Sequence, residues 1–495
     1  MIVQTIAQIN AGVDYGNLLS ITLPETILEV VSLLVLLVDL GWLRKSSQAA
    51  RMTAACVLGV IGCVLAMAWL IAHPQVTSIA GGSLVATPLI AVVQIGILVL
   101  SALVLLLSVN VKFSRNPGEF VAIVLLGATG MMLLAAARDL LVIFVALELL
   151  SLSLYVLAAF AKSSPQSAES ALKYYLFGGM SAALMLFGFS YLYGLTGTTN
   201  LAGIAAAVAT QSVSPLQIVA LVLVAAGFGF KVAAVPFHLW APDTYQGAPA
   251  PVAALIASGS KVASFAVLIA FTGAVIPAAN TARGVSWIVL LVWMSAGSIV
   301  LGNLAALAQT SVRRLLAYSA IAHAGYMLLG IAANTPQSNA AVLYYALTYA
   351  LTTVGAFGVI AIVERATGSD RLDSFAGLSR RNPLLSATMF VFLLSLAGIP
   401  PLVGFWAKFN LFAAVLRAPA VGSWGFAMVA LALAASAVSL YYYLQVLKRI
   451  YVLEPVQTEP LPSSFVELAT LSLIALAVVL LGILPGVLGR WIPLG

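Results

Sequence analysis

Charge is scarce in this chain: Asp, Glu, Lys and Arg together make up 7% of its 495 residues, where soluble domains carry about 25%. With 62% hydrophobic residues and a mean hydropathy of +1.11, too little polar surface exists to clothe a water-facing globule, and the chain belongs in a bilayer. Cysteine is almost absent. Cys56 and Cys63 lie in one apolar run, about two helical turns apart, so they are out of disulfide reach and no iron–sulfur cluster can be built. Histidine is nearly as rare. His73, His238 and His323 occupy separate segments without a C-x-x-C-H motif, and they offer at most one axial haem pair. Any electrons therefore run through other chains, and no cofactor is expected in this one. The formal charge of +7 hints at nucleic acid, but the basic residues are scattered over short loops, which excludes such a partner. The opening residues "MIVQTIAQINAGVDYG" lack a basic n-region, so no cleaved presequence is expected.

What is present is a series of apolar runs, each near the ~20 residues that cross a membrane as a helix. They fall at 18–43, 49–72, 87–110, 117–137, 139–162, 168–194, 215–239, 246–276, 285–305, 311–333, 338–363, 383–416, 421–451 and 464–490. The reading is an all-α polytopic membrane protein of about fourteen transmembrane helices. Alternate loops separate by lysine and arginine. Arg44, Lys45, Arg51, Lys112, Arg115, Lys162, Arg313, Arg314, Arg365, Arg371, Arg380, Arg381, Lys448 and Arg449 share one side, fourteen of the 22 basic residues. The other side holds Arg138, Arg283, Arg417 and Arg490. Since the cytoplasmic side carries the excess, both termini are expected on the non-cytoplasmic side. The longest polar loop, "ERATGSDRLDSFAGLSRRNP", mixes charge signs and reads as a connector with a short lateral helix.

A charge at the bilayer centre costs about 2.5–3.5 kcal/mol on insertion scales, so each one needs a partner, water or a function. Glu148, Lys231, Lys261 and Lys408 lie deepest in their runs and are the candidate proton carriers. Lys173 is shallower, and either snorkels from its helix end or serves inside the bundle. Arg138 and Asp139 read as a neutral interfacial pair, while Glu25, Glu29 and Asp39 sit nearer span ends, where neighbours can satisfy them.

Two of the lysines stand beside prolines. "FKVAAVPFHLWAPDTYQGAPAP" runs from Lys231 through Pro236, and "LAGIPPLVGFWAKF" sets Pro400 and Pro401 before Lys408. Proline removes a backbone donor and displaces the carbonyl four residues earlier, so both helices should break there. Irregular backbone survives at membrane depth only where protein or a water-filled cavity covers it, and a broken helix in each half of a chain marks transporters built from inverted repeats. Hydroxyl stripes supply a third sign: Tyr344, Thr348 and Thr352 along one helix, and Ser319, His323 and Tyr326 along another. They read as helix–helix glue or as the wall of a water file, with His323 the titrating member. His238 is expected to anchor the first break, and His73 to be a loop residue.

The segments "FKVAAVPFHLWAPDTYQGAPAPVAALIASGSKVASF", "GNLAALAQTSVRRLLAYSAIAHAGYMLLG" and "LAGIPPLVGFWAKFNLF" closely resemble subunit N of the proton-pumping NADH:quinone oxidoreductase, respiratory complex I, and its counterpart in chloroplast-type complexes. The likeness runs from "LPETIL" to the last helix. It implies two inverted five-helix repeats, each with a broken helix, around a central hydrophilic axis. The implied division is 1–116 as an N-terminal three-helix segment, 117–276 and 277–451 as the repeats, and 452–495 as a C-terminal helix. Carried over onto this sequence, Glu148 resembles the glutamate that pairs with the first channel lysine, Lys231; Lys261 resembles the connecting lysine, and Lys408 that of the second broken helix. His323 falls where the family tends to carry a protonatable group, and Lys173 is a further candidate.

The implied mechanism is that charge arriving from a neighbouring subunit weakens the Glu148–Lys231 attraction, whereupon the proton moves toward Lys261 and on through water and His323 to Lys408. Flavin, iron–sulfur clusters and quinone are expected in partner subunits, other membrane-arm subunits of complex I as partners, and a bacterial plasma membrane as the location. The rival reading is a subunit of a multi-subunit cation/proton antiporter, and a second is a passive scaffold with locked charges.

Overall fold

The computed structural model describes residues 15–111, 115–210, 214–275, 282–418, 422–455 and 459–492. Lys112, the side chain of Arg283 and the first fourteen residues, all used above, lie outside the described residues.

Helices begin where the loops supply caps. Five spans start with a Ser, Thr or Asn whose side chain accepts a backbone N–H, followed by proline at the first helical position: Thr87–Pro88, Ser164–Pro165, Ser214–Pro215, Thr335–Pro336 and Asn382–Pro383. The cap satisfies an orphan donor, and proline, which has none to lose, fixes the helical φ.

The first helices are α1 (Tyr15–Leu37, extended by a π-turn through Trp42), α2 (Gln48–Ala72), α3 (Pro88–Ser108), α4 (Pro117–Ala136), α5 (Leu140–Ala158) and α6 (Pro165–Thr196). A short hairpin, β1 (Thr77–Ile79) with β2 (Leu84–Ala86), joins α2 to α3. After α7 (Leu201–Thr210) come α8 (Pro215–Val232), α9 (Trp240–Gly247), α10 (Ala250–Ala257) and α11 (Gly259–Val275). Next are α12 (Ala282–Leu307), α13 (Val312–Ala333), α14 (Pro336–Thr367), α15 (Leu378–Arg381), α16 (Pro383–Ala397) and α17 (Val403–Arg417). The chain ends with α18 (Gly422–Tyr451), α19 (Phe465–Ile483) and α20 (Gly486–Gly489).

Thirteen helical stretches are long and apolar enough to cross a membrane. The interrupted pair α16–α17 makes a fourteenth span, as the composition led one to expect. The hairpin and α7 are additions, because three-residue strands and a ten-residue alanine-rich helix leave little periodic signal. The polar connector holds a 3₁₀ turn at Leu372–Phe375 and the single turn α15.

The layers follow from burial. Over their most apolar eighteen residues, α13 is 94% buried and α14 and the α10–α11 pair 89%, whereas α18 is only 22% buried. The outer helices present exposed leucines, valines and aromatics such as Leu33, Phe187 and Phe426, the surface that lipid requires. Lipid gives apolar helices no hydrophobic drive to associate, so close packing must hold the centre. α12 and α13 show how: Gly302 of α12 lies against Tyr318 O and Ala322 N of α13, while Gly325 of α13 lies against Ser295 O and Ile299 N of α12. Ser295 Oγ donates to Gly325 O across the same contact at 2.7 Å.

Candidate functional site

The first break begins at Ala233, which takes a left-handed conformation (φ 60°) and ends α8 two residues after Lys231. An alanine there is strained by roughly 1–2 kcal/mol, so its surroundings must hold it. Much of the freed backbone finds partners: Ala234 N–H donates to Gly229 O at 2.8 Å, Val235 N–H to Ser298 Oγ at 2.9 Å, and Trp240 Nε1 to Phe230 O at 2.9 Å. The second break is built alike. Gly398 ends α16 at φ 88°, Gly404 N–H donates to Ser395 Oγ at 3.2 Å, and the carbonyl of Ala397 accepts from Lys408 Nζ at 2.8 Å. Both breaks contain a cis X–Pro peptide, Val235–Pro236 and Pro400–Pro401. A third interruption, at Ser258 between α10 and α11, was not foreseen; it lies three residues before Lys261 and has no proline to announce it.

The four deep residues differ in how they are held. Lys231 is 3% exposed, and its Nζ donates to Ser151 Oγ of α5 at 2.9 Å. Glu148, one turn earlier on α5, is half-buried, and its Oε1 has no hydrogen-bond partner among the described residues. Among those residues no ion pair within 4.0 Å joins Glu148 to Lys231; Lys231 bonds Ser151 instead. Lys261 is 2% exposed and donates to Ala320 O of α13 at 2.6 Å, with Nζ 5.6 Å from the centre of the Tyr349 ring. Lys408 is 7% exposed and donates to Ser436 Oγ at 2.7 Å as well as to Ala397 O. Neutral oxygens thus hold all three amines.

His323 joins the second half. It lies one turn after Ala320 on α13, 4% exposed; Nδ1 shares a hydrogen bond with Tyr345 Oη at 2.7 Å, and Nε2 reaches Tyr443 Oη at 3.4 Å. Its ring is 4.8 Å from that of Tyr349, which Lys261 faces, and 5.7 Å from that of Tyr326. Tyr326 in turn lies 5.7 Å from Lys408 Nζ. A cavity of about 10 Å³, close to the size of one water, is walled by His323, Tyr345, Thr348, Tyr349, Thr352 and Lys408. The expected hydroxyl stripe contributes Thr348 and Thr352, but Tyr345 and Tyr349 line the space rather than Tyr344. Sequence spacing missed those two and Tyr443, because α14 is buried almost all round and its periodicity gives no clue to which face holds the polar cavity.

Lys173 belongs elsewhere. Its Nζ contacts Glu169 at 2.7 Å and Asp243 at 2.8 Å, and Asp243 also accepts from Arg314 Nη1 at 2.7 Å. These groups rim a cavity of about 860 Å³ at the end where Arg313, Arg365 and Arg371 also gather. Asp243 lies between the membrane-spanning segments. Partial burial pushes its carboxyl up, but the hydrogen bonds from Lys173 and Arg314 outweigh that and hold it below the usual carboxylate range.

One expectation for other charges changes and one holds. Arg138 and Asp139 do not pair: Arg138 donates to Ala135 O and Ala137 O, while Asp139 caps α5 and accepts from Thr199. Adjacent side chains at a helix start point apart, so the backbone offers each a nearer partner. Asp39 is satisfied as foreseen, by Arg51 Nε and Nη2 at 2.7 Å each and by Gly118 N–H at 3.0 Å.

Comparisons with known proteins agree with this architecture. The family model described as NADH:quinone oxidoreductase/Mrp antiporter, TM matches residues 137–436. NADH-quinone oxidoreductase subunit N 2 of Acidobacterium capsulatum is 51% identical over 97% of this chain and 99% of its own length. A chain of respiratory complex I from Thermus thermophilus, 36% identical, superposes with a TM-score of 0.77 over 94% of this chain and 98% of its own. A chain of the Mrp complex from a Dietzia species shares the fold, with a TM-score of 0.79 at 21% identity over 94% of this chain and 96% of its own. With its two broken helices, its buried lysines and this degree of identity, the chain belongs to the subunit N family, the antiporter-like membrane subunits of NADH:quinone oxidoreductase.

Proposed function

We propose that this chain carries protons across a bacterial plasma membrane as a non-redox subunit of the membrane arm, driven by quinone reduction elsewhere in the complex. The observation that carries the reading is the run of groups from Lys261 past Tyr349 and His323 to Tyr326 and Lys408, of which Tyr349, His323 and Lys408 wall a space the size of one water. Flavin, iron–sulfur clusters and quinone belong to partner subunits in this reading. Both termini face the non-cytoplasmic side, and the repeats divide near residue 276.

The residues act through charge. Lys231, held by the neutral Ser151 hydroxyl, feels Glu148 at a distance rather than through a closed ion pair. Such an attraction is easier to weaken than a tight contact, because neither partner must be stripped of direct hydrogen bonds to the other. A positive charge moving closer to Lys231 raises the cost of keeping its proton, since unit charges 4 Å apart interact by about 4 kcal/mol at an effective dielectric of 20. The proton passes toward Lys261 and then to His323, whose two nitrogens, each facing a tyrosine hydroxyl, allow it to take a proton on one side and release one on the other. Lys408 receives it beside the second break.

Lys231→Ala in the assembled complex, reconstituted in liposomes, tests this. The expected result is continued NADH:quinone electron transfer with fewer protons moved per electron. An unchanged proton-to-electron ratio overturns the role of Lys231.

A further inference from the structure

Away from the lysine axis, α1 carries a second disturbed helix beside a buried acid. Pro24 lies inside α1 and displaces the carbonyl four residues earlier, that of Ser20, which instead accepts from Trp69 Nε1 of α2 at 3.3 Å. Next in sequence is Glu25, 4% exposed. Its Oε1 accepts from Gln94 Nε2 of α3 at 2.9 Å, and its Oε2 has no partner among the described residues. Glu25 forms part of the wall of a cavity of about 30 Å³, roomy enough for a water, together with Ser20, Trp69, His73, Gln75 and Gln94. Gln75 Nε2 donates to Ser20 Oγ at 2.6 Å, and the exposed His73, stacked on Trp69 at 3.7 Å, stands on the hairpin side. Among the described residues the titratable groups near the acid are Glu29, one turn along α1, and His73, and no lysine or arginine lines the cavity.

Among the described residues a carboxylate buried here would have one side-chain donor, the Gln94 amide, and no cation beside it, an arrangement costing several kcal/mol. The neutral acid suits the site better, because it turns Oε2 into a donor that one water can accept from. We propose that Glu25 is an exchangeable-proton site separate from the lysine axis, a buried carboxylic acid that trades its proton with water on the hairpin side of the protein. When the proton leaves Oε2, a pocket water accepts it and carries it out past Gln75 and His73, and the carboxylate left behind still accepts from Gln94. The site stands independently of the proton-translocation reading above.

Infrared difference spectroscopy of the assembled complex tests it. The parent should show a protonated-carboxyl C=O band that shifts in D2O, that is lost in Glu25→Gln and that is kept in Glu29→Gln. Ser20→Leu, which fills the throat, should slow the deuterium shift about tenfold. If Glu25→Gln fails to assemble, Glu25→Asp serves, with the band moved but still sensitive to D2O. Identical spectra for parent and Glu25 variants, or a band indifferent to D2O, overturn the proposal.

Discussion

His323 shows how much a single side chain depends on its neighbours. A buried imidazole left without one of its partners loses about 1–3 kcal/mol, the desolvation cost of an unmet polar group. Tyr345→Phe removes the 2.7 Å partner of Nδ1 and leaves the ring volume intact. We expect it to lower the stability of the complex by about 1–3 kcal/mol in thermal unfolding and to slow proton transfer more than electron transfer. Wild-type stability together with wild-type pumping would show that this hydrogen bond matters to neither. Ser151 offers a companion test at the other end of the axis. Ser151→Ala strips Lys231 of its hydroxyl acceptor while leaving Glu148 in place, so pumping should fall without loss of assembly, as read by the proton-to-electron ratio. These partners were hard to see in advance. Depth along an apolar run identified Glu148, Lys231, Lys261 and Lys408, because burying a charge is costly wherever it happens. Which oxygen each amine finds depends on another helix, and no local pattern records that.

Among the elements, α13 bears the most consequence, since it brings both Ala320 O and His323 to the axis. Its place is fixed by the reciprocal glycine contacts with α12. Gly325→Leu should push the two helices apart, with a cost of at least the ~1–3 kcal/mol typical of overpacking, and should reduce the amount of complex recovered from membranes. Gly179→Ala on α6, where a Cβ meets nothing within 4 Å, is the control and should assemble normally. The proline-marked breaks were legible at this scale, since proline acts on its own helix. The break at Ser258 was not, because no proline marks it; there α10 packs on α14, and Gly259, which begins α11, lies against Met131 of α4.

For the whole molecule, the cluster of Lys173, Asp243 and Arg314 ties α6, α9 and α13 together at one end. Asp243 sits below its ordinary range when folded, so its contribution is fully present above the unfolded value of about 3.9 and is lost as pH falls through the lower folded value. The thermal midpoint of the complex should therefore drop on acidification in that window, and Asp243→Asn should flatten the drop. A parent and variant with parallel pH profiles would show that the cluster adds no pH-linked stability.

The sequence alone determined that the chain spans a membrane, roughly how many times, where two helices break and which charges lie deep, because hydropathy, proline chemistry and desolvation act on each residue regardless of fold. Only the tertiary structure decided that Lys231 bonds Ser151 rather than Glu148, that Tyr349 and Tyr326 link His323 to the two lysines, and that Lys173 belongs to the outer cluster. Those facts depend on side-chain geometry between helices distant in sequence, where a few ångströms separate a contact from a gap.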